Sequence, residues 1–284
     1  MEALPAQVST KRILFATDFS DHSAVALPYA LTLARQPGGI LVVTHIVSMG
    51  PLGAGKVLHA GLAVAAQGVR EAKTLMDQLE ARLTDVDHHC VVRSGNVRGE
   101  IGALVEDERI DVMVVGTHGR TGMGKAVFGS VAEELFRHAR CPVLTVGPQV
   151  RAAPEGVAEL HSILYPTDFS KESQAALAYA ISLARERGAR LYLLHVTSPG
   201  ADSDRHLLEA QLRALVPEQA RLGCEPKALV QAGQPAPVIL EAANELAVDL
   251  IVMGPKSHLA IPGAMATTYR VVTQASCPVL TVRG

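Results

Sequence analysis

The sequence predicts two doubly wound α/β domains in tandem, each built on a five-stranded parallel sheet. Three observations carry this. Residues 13–35, ILFATDFSDHSAVALPYALTLAR, recur without a gap at 163–185 as ILYPTDFSKESQAALAYAISLAR, with 14 of 23 positions identical. The six residues CPVLTV at 141–146 return at 277–282 in the same order relative to that match. The strand candidates are continuous apolar runs, the mark of a parallel sheet covered on both faces. The halves are 1–147 and 161–284, joined by a linker at 148–160 whose Pro and Gly suit a boundary.

Each element follows from local pattern. KRILFAT (11–17) is the first strand. DFS follows it, and Ser20 is placed to cap a helix. Leu27, Ala30, Leu31 and Ala34 fall at i, i+3, i+4, i+7 on that helix. Pro28 sits inside it and predicts a bend; the second half has Ala178 there. ILVVTHIV (40–47) is the second strand, followed by a long helix over 57–83. The third strand spans 88–94 and its helix 97–108. DVMVVG (111–116) is the fourth strand. A helix over 129–139 leads to the last strand, PVLTV at 142–146. The order β-α-β-α-β-α-β-α-β is that of a Rossmann-like domain.

The 284 residues carry 26 Lys+Arg and 28 Asp+Glu, so bulk charge drives neither nucleic-acid nor anionic-membrane binding. No apolar run reaches the roughly 20 residues that span a bilayer. MEALPAQVSTKR lacks the apolar region of a secretory signal. Four cysteines without CxxC spacing read as reduced thiols, and the expected location is cytoplasmic. Cys141 and Cys277, each before a proline, read as small buried hydrophobes.

The densest signal is GTHGRTGMGKAVFGSV at 116–131. In an open parallel sheet, ligands bind beyond the carboxyl ends of the strands. Asp18 and this loop both fall there. The loop enters the N-terminus of the last helix, where unpaired amides and the dipole favour an anion. Glycines let backbone amides curve round phosphate oxygens. Ser130 adds a hydroxyl donor, and Arg120 and Lys125 add positive charge. Other motifs are weaker. GPLGAGKV (50–57) approaches a phosphate-binding P-loop but has Val57 where a hydroxyl is required. His88, His89 and Cys90 lack a partner pair at zinc spacing, and adjacent strand residues point to opposite faces. His45 and His195 occupy equivalent positions and are read as packing or hydrogen-bonding residues. No nucleophile elbow or Ser-His-Asp order is present.

The spacing of Gly116, Gly119 and Gly129-Ser130, with ILFATDFS, THIV, GSVAEEL and CPVLTV in order over nearly the whole chain, resembles the universal stress protein family. The resemblance implies a tandem member forming an internal pseudo-dimer through its two last strands. It implies ATP, with Mg²⁺, as cofactor in the first domain. Adenine would lie against Ala16, Thr17, Asp18 and Ile46, adenosine between Val115 and Gly116, and phosphates on Gly119, Arg120, Gly129, Ser130 and Val131. Asp18 would orient the nucleoside and is not expected to act as a base. The second half reads GPKSHLAIPGAMATTYR: Ser257 replaces the second glycine and no Gly-Ser pair opens the helix. Its loop, from Gly254 to Cys277, is 23 positions against 25 from Gly116 to Cys141. Pro255 and Pro262 remove amide donors. One competent site per chain is therefore expected.

The expected function is an ATP-binding regulatory protein of the stress response, with an unidentified protein partner and an optional homodimer. A slow ATPase or ATP-dependent transferase is the enzymatic alternative, disfavoured because no base or acidic metal box is evident. A scaffold that binds no nucleotide is the third reading.

Overall fold

The computed structural model describes residues 8–48, 57–117, 129–151, 153, 157–200, 204–221, 223–255 and 264–283; for residues 57–65, 130 and 264–266 it describes the backbone alone. Contacts divide the chain into two compact units. One is Ser9–Val143 with Ala153–Val157; the other joins Leu144–Ala152 to Ala158–Gly284.

In the first half the strands are β1 (Arg12–Ala16), β2 (Ile40–Ser48), β3 (Asp87–Gly95), β4 (Val112–Gly116) and β5 (Val143–Val146). Their order is β3-β2-β1-β4-β5. The β1–β2, β1–β4 and β2–β3 ladders are parallel, in registers Arg12↔Ile40, Ile13↔Val112 and Ile40↔Asp87. Ile13, Leu14, Phe15, Leu41, Val42 and Val43 are all buried. Consecutive buried residues require cover on both faces, so the apolar runs read correctly as parallel-sheet strands.

Helices α1 (Asp21–Ala24) and α2 (Leu27–Ala34) follow β1. One bent helix was the expectation, and the chain instead breaks. Val25 closes α1, and Pro28 stands in the first turn of α2. Proline has no amide hydrogen to continue the ladder and is tolerated at a helix start, so the break falls just before it. Helix α3 (Val57–Glu80) joins β2 to β3, α4 (Val97–Asp107) joins β3 to β4, and α5 (Ser130–His138) precedes β5. Asn96 caps α4 by accepting from the Gly99 amide.

The second half repeats the plan. Its strands are β6 (Ser162–Pro166), β7 (Arg190–Thr197), β8 (Lys227–Ala232), β9 (Leu250–Met253) and β10 (Val279–Thr281), in the order β8-β7-β6-β9-β10. Its helices are α6 (Lys171–Arg187), α7 (Arg205–Ala214), the short α8 (Glu218–Arg221), α9 (Pro235–Glu245) and α10 (Ala264–Gln274). Helix α6 is continuous through Ala178 and ends on Gly188 at φ 63°, a left-handed cap that glycine adopts readily. Residues 144–146 of β5 belong to this second unit, where β5 lies beside β10.

A polar tie recurs in both halves. The Asp111 carboxylate accepts from the Lys11 and Arg12 amides at 2.9 Å each. Asp249 accepts from the His161 and Ser162 amides at the same 2.9 Å distances. Each aspartate thus fixes the start of its first strand beside the fourth.

Candidate functional site

The chain runs outward from β1 through β2 to β3, then returns to the other side of β1 as β4. That reversal opens a crevice beyond the carboxyl ends of β1 and β4, where open parallel sheets take ligands. A cavity of about 570 Å³ occupies the place. Small-molecule sites generally enclose about 300–1,000 Å³. Ala16, Thr17 and Asp18 border it from the β1 end, Ile46 from β2, and Val115 and Gly116 from β4. Gly129 and Val131 border it from the start of α5. The structure thus brings together eight of the eleven residues expected there. The backbone at Ser130 opens α5, while its side chain, Gly119, Arg120 and Lys125 lie outside the described residues. So does most of the P-loop-like stretch, at 50–56.

The β1 end is a fixed turn. Phe19 takes φ 59°, an unusual left-handed conformation for a bulky residue. Its amide donates to Thr17 Oγ1 at 3.0 Å, and the Ser20 amide donates to Asp18 Oδ1 at 3.0 Å. The Ser20 hydroxyl donates to the same Asp18 oxygen at 2.6 Å and accepts from the Ser23 amide, capping α1. His45 Nδ1 donates to the Thr17 carbonyl at 2.8 Å, and its ring lies against Phe19 with centroids 4.8 Å apart. The second half reproduces the turn: Phe169 has φ 62°, and His195 donates to the Thr167 carbonyl at 2.9 Å. Both histidines therefore do the hydrogen-bonding and packing work expected of them. A carbonyl only accepts, so Nδ1 carries the proton in each ring.

Gly116 has a structural reason of its own. A Cβ there would stand 2.9 Å from the His22 carbonyl oxygen, and one at Gly254 would stand 2.0 Å from that of Glu172. Both glycines let the first helix of their half pass over the fourth strand. Gly116 is thus required with or without a ligand.

The α5 end has the character of an anion site. Gly129 is the N-cap at φ −60° and ψ 140° and, being glycine, supplies no side-chain cap. The first-turn amides of a helix lack intrahelical acceptors, and the dipole adds partial positive charge. Glu133 in that turn is paired with Arg137 at 2.8 Å, which offsets its negative charge.

Sequence reading left out one wall. Gly68, Ala72 and Leu75 of α3 and Val97 and Ile101 of α4 also line the cavity. The signal was present: positions 68, 72 and 75 share one helix face by i, i+4, i+7 spacing. The apolar wall and polar ends together suit a ligand with a flat apolar part and an anionic part.

The remaining candidates lie elsewhere. His88 donates from Nδ1 to the Val86 carbonyl at 2.9 Å and faces Glu80, whereas His89 lies 3.3 Å from Glu108. The two rings therefore turn to different acids. Burial pushes the Cys277 and Cys141 thiols up to about 12 and Cys90 to about 11, which keeps them protonated.

Comparison with known proteins agrees with this architecture. The family model of the universal stress protein family matches residues 9–147 and again 159–283. A universal stress protein of Methanocaldococcus jannaschii is 26% identical over 155 residues, covering 49% of this chain and 96% of that protein. One of Mycolicibacterium smegmatis is 24% identical over 290 residues, covering 95% of this chain and 96% of its own. Among solved structures, a universal stress protein of Archaeoglobus fulgidus superposes with a TM-score of 0.71 at 20% identity, covering 96% of this chain and 98% of that one. With the family model matched twice and the Thr-Asp-Phe-Ser turn and five-stranded parallel plan repeated along one polypeptide, the chain belongs to the universal stress protein family, as a tandem member.

Proposed function

We propose that the first half binds ATP, with Mg²⁺ on the phosphates, and that the protein is a cytoplasmic regulator in which nucleotide occupancy sets its interactions with a protein partner. The observation that carries this is the crevice of about 570 Å³ that ends on the N-terminus of α5, where the N-cap is Gly129. The adenine would lie against Ala16, Thr17, Asp18 and Ile46, with the adenosine between Val115 and Gly116. The triphosphate would lie on the amides of Ser130 and Val131 and pass beside Gly129, whose own amide donates to the Thr117 carbonyl at 2.7 Å. Gly119 and Arg120 enter this reading on the strength of the sequence motif. The second half serves as the other member of an internal pseudo-dimer and holds no nucleotide, because its loop has lost the glycine spacing.

Calorimetric titration of the full chain with Mg·ATP tests the reading. One site per chain is the expected result. Gly129→Asp puts a carboxylate beside the phosphates and should abolish measurable binding. Ser130→Ala removes one donor to a charged group and should weaken binding about tenfold or more. Two equal sites, or binding indifferent to Gly129→Asp, would sink the proposal. Release of ADP at a steady rate, lost in Ser130→Ala, would establish the enzymatic alternative.

A further inference from the structure

The two copies of the Thr-Asp-Phe-Ser turn differ in the direction of one proton. Each hydroxyl has one hydrogen to give. In the first half Ser23 donates to the Ser20 carbonyl at 2.9 Å, so the 2.9 Å contact between Thr17 and Ser23 is a donation by Thr17. The Ser20 hydroxyl sends its own proton to Asp18 Oδ1 at 2.6 Å. In the second half the first two steps recur: Ser173 donates to the Ser170 carbonyl at 2.8 Å, and Thr167 to Ser173 at 2.9 Å. The Ser170 hydroxyl, however, points to Ser173 Oγ at 3.4 Å, and Asp168 receives the Ser170 amide alone from that residue, at 3.0 Å. Asp168 is exposed, whereas Asp18 is half-buried at the wall of the cavity.

Two donors on one carboxylate oxygen fix the carboxylate plane as well as its position. A hydroxyl donating to a charged acceptor makes a short, strong bond of this kind. The geometry points to Ser20 as a positioning residue: through its hydroxyl it orients the Asp18 carboxylate toward the nucleoside part of a nucleotide, a function its counterpart Ser170 does not perform. The inference rests on the nucleotide reading of the first half. Ser20 acts through Asp18 and itself need not touch the ligand.

Ser20 also caps α1, so the test separates the two roles. Binding of ATP and of adenosine is measured for the wild type, Ser20→Ala, Asp18→Asn, the double variant and Ser170→Ala. Ser20→Ala is expected to weaken both ligands by a similar factor, about tenfold, since a hydrogen bond to a charged group is lost. Competition by inorganic tripolyphosphate should not change. Ser20→Thr, which keeps the hydroxyl, should restore affinity. In the Asp18→Asn background Ser20→Ala should add nothing further, the non-additivity expected of residues acting as one unit. Ser170→Ala removes an equivalent cap and should leave affinity unchanged. Additive losses in the double variant, or an equal loss of tripolyphosphate binding, overturn the positioning role while leaving the nucleotide site intact. Absence of ATP binding by the wild-type protein overturns the site reading and this inference with it.

Discussion

At the scale of single residues, duplication supplies its own control. Gly116 and Gly254 serve one purpose, but the second is the tighter, with backbone 2.0 Å from the hypothetical Cβ against 2.9 Å. Gly116→Ala should cost about 1–3 kcal/mol as overpacking, and Gly254→Ala more, because a carbonyl oxygen in a helix cannot step aside. Urea denaturation of both variants checks the order; equal losses would contradict it. Cys277 gives a pH dependence. Its folded-state pKa is raised by burial from 9.0 to about 12. Below pH 9 both states hold the proton. Between pH 9 and 12 the unfolded chain has lost it and the folded chain has not. Stability from this thiol is therefore present below pH 9 and is lost as pH rises, by about 1.4 kcal/mol per pH unit. Replacing Cys277 with Ala should flatten the alkaline slope of stability by that amount. The burial of this thiol was legible from its place before a strand proline. The role of Gly116 was not, because its spacing served a phosphate motif equally well, and the helix passing over it is invisible in sequence.

At the scale of elements, the strands were nearly complete in the sequence. Runs such as Ile13–Phe15 and Leu41–Val43 are apolar at every position, and that pattern has few other readings. The helix after β1 was harder. Propensity and periodicity continued through residues 21–34, and only the strength of Pro28 as a breaker separated one bent helix from α1 and α2. The second half tests the point. Ala178→Pro removes the amide at 178 from the ladder of α6 and should cost about 3 kcal/mol. Loss of stability well below 1 kcal/mol would mean that α6 tolerates the same break without strain. The wall contributed by α3 and α4 is hidden in the sequence for a different reason. Which face of a helix meets a cavity depends on packing, and a face of Gly68, Ala72 and Leu75 reads equally well as ordinary core.

At the scale of the molecule, the two halves share a plan and differ in their loops. Nucleotide binding should therefore register in one of them. With saturating Mg·ATP, amide exchange should slow at the ends of β1 and β4 and in the first turn of α5, and stay unchanged at β6, β9 and α10. Equal protection in both halves would contradict a single site. The grouping of residues 144–146 with the second half has a further consequence, for synthesis. A ribosome delivers β5 long before β10, its neighbour in that unit. At about 5–20 residues per second, the strand waits roughly 7–27 s for residues 279–281. Throughout that interval it presents an unpaired apolar edge, the feature that recruits chaperones or a second nascent chain. A fragment ending at residue 147 should accordingly self-associate in sedimentation, and a stable monomer would show that the first half closes its own edge.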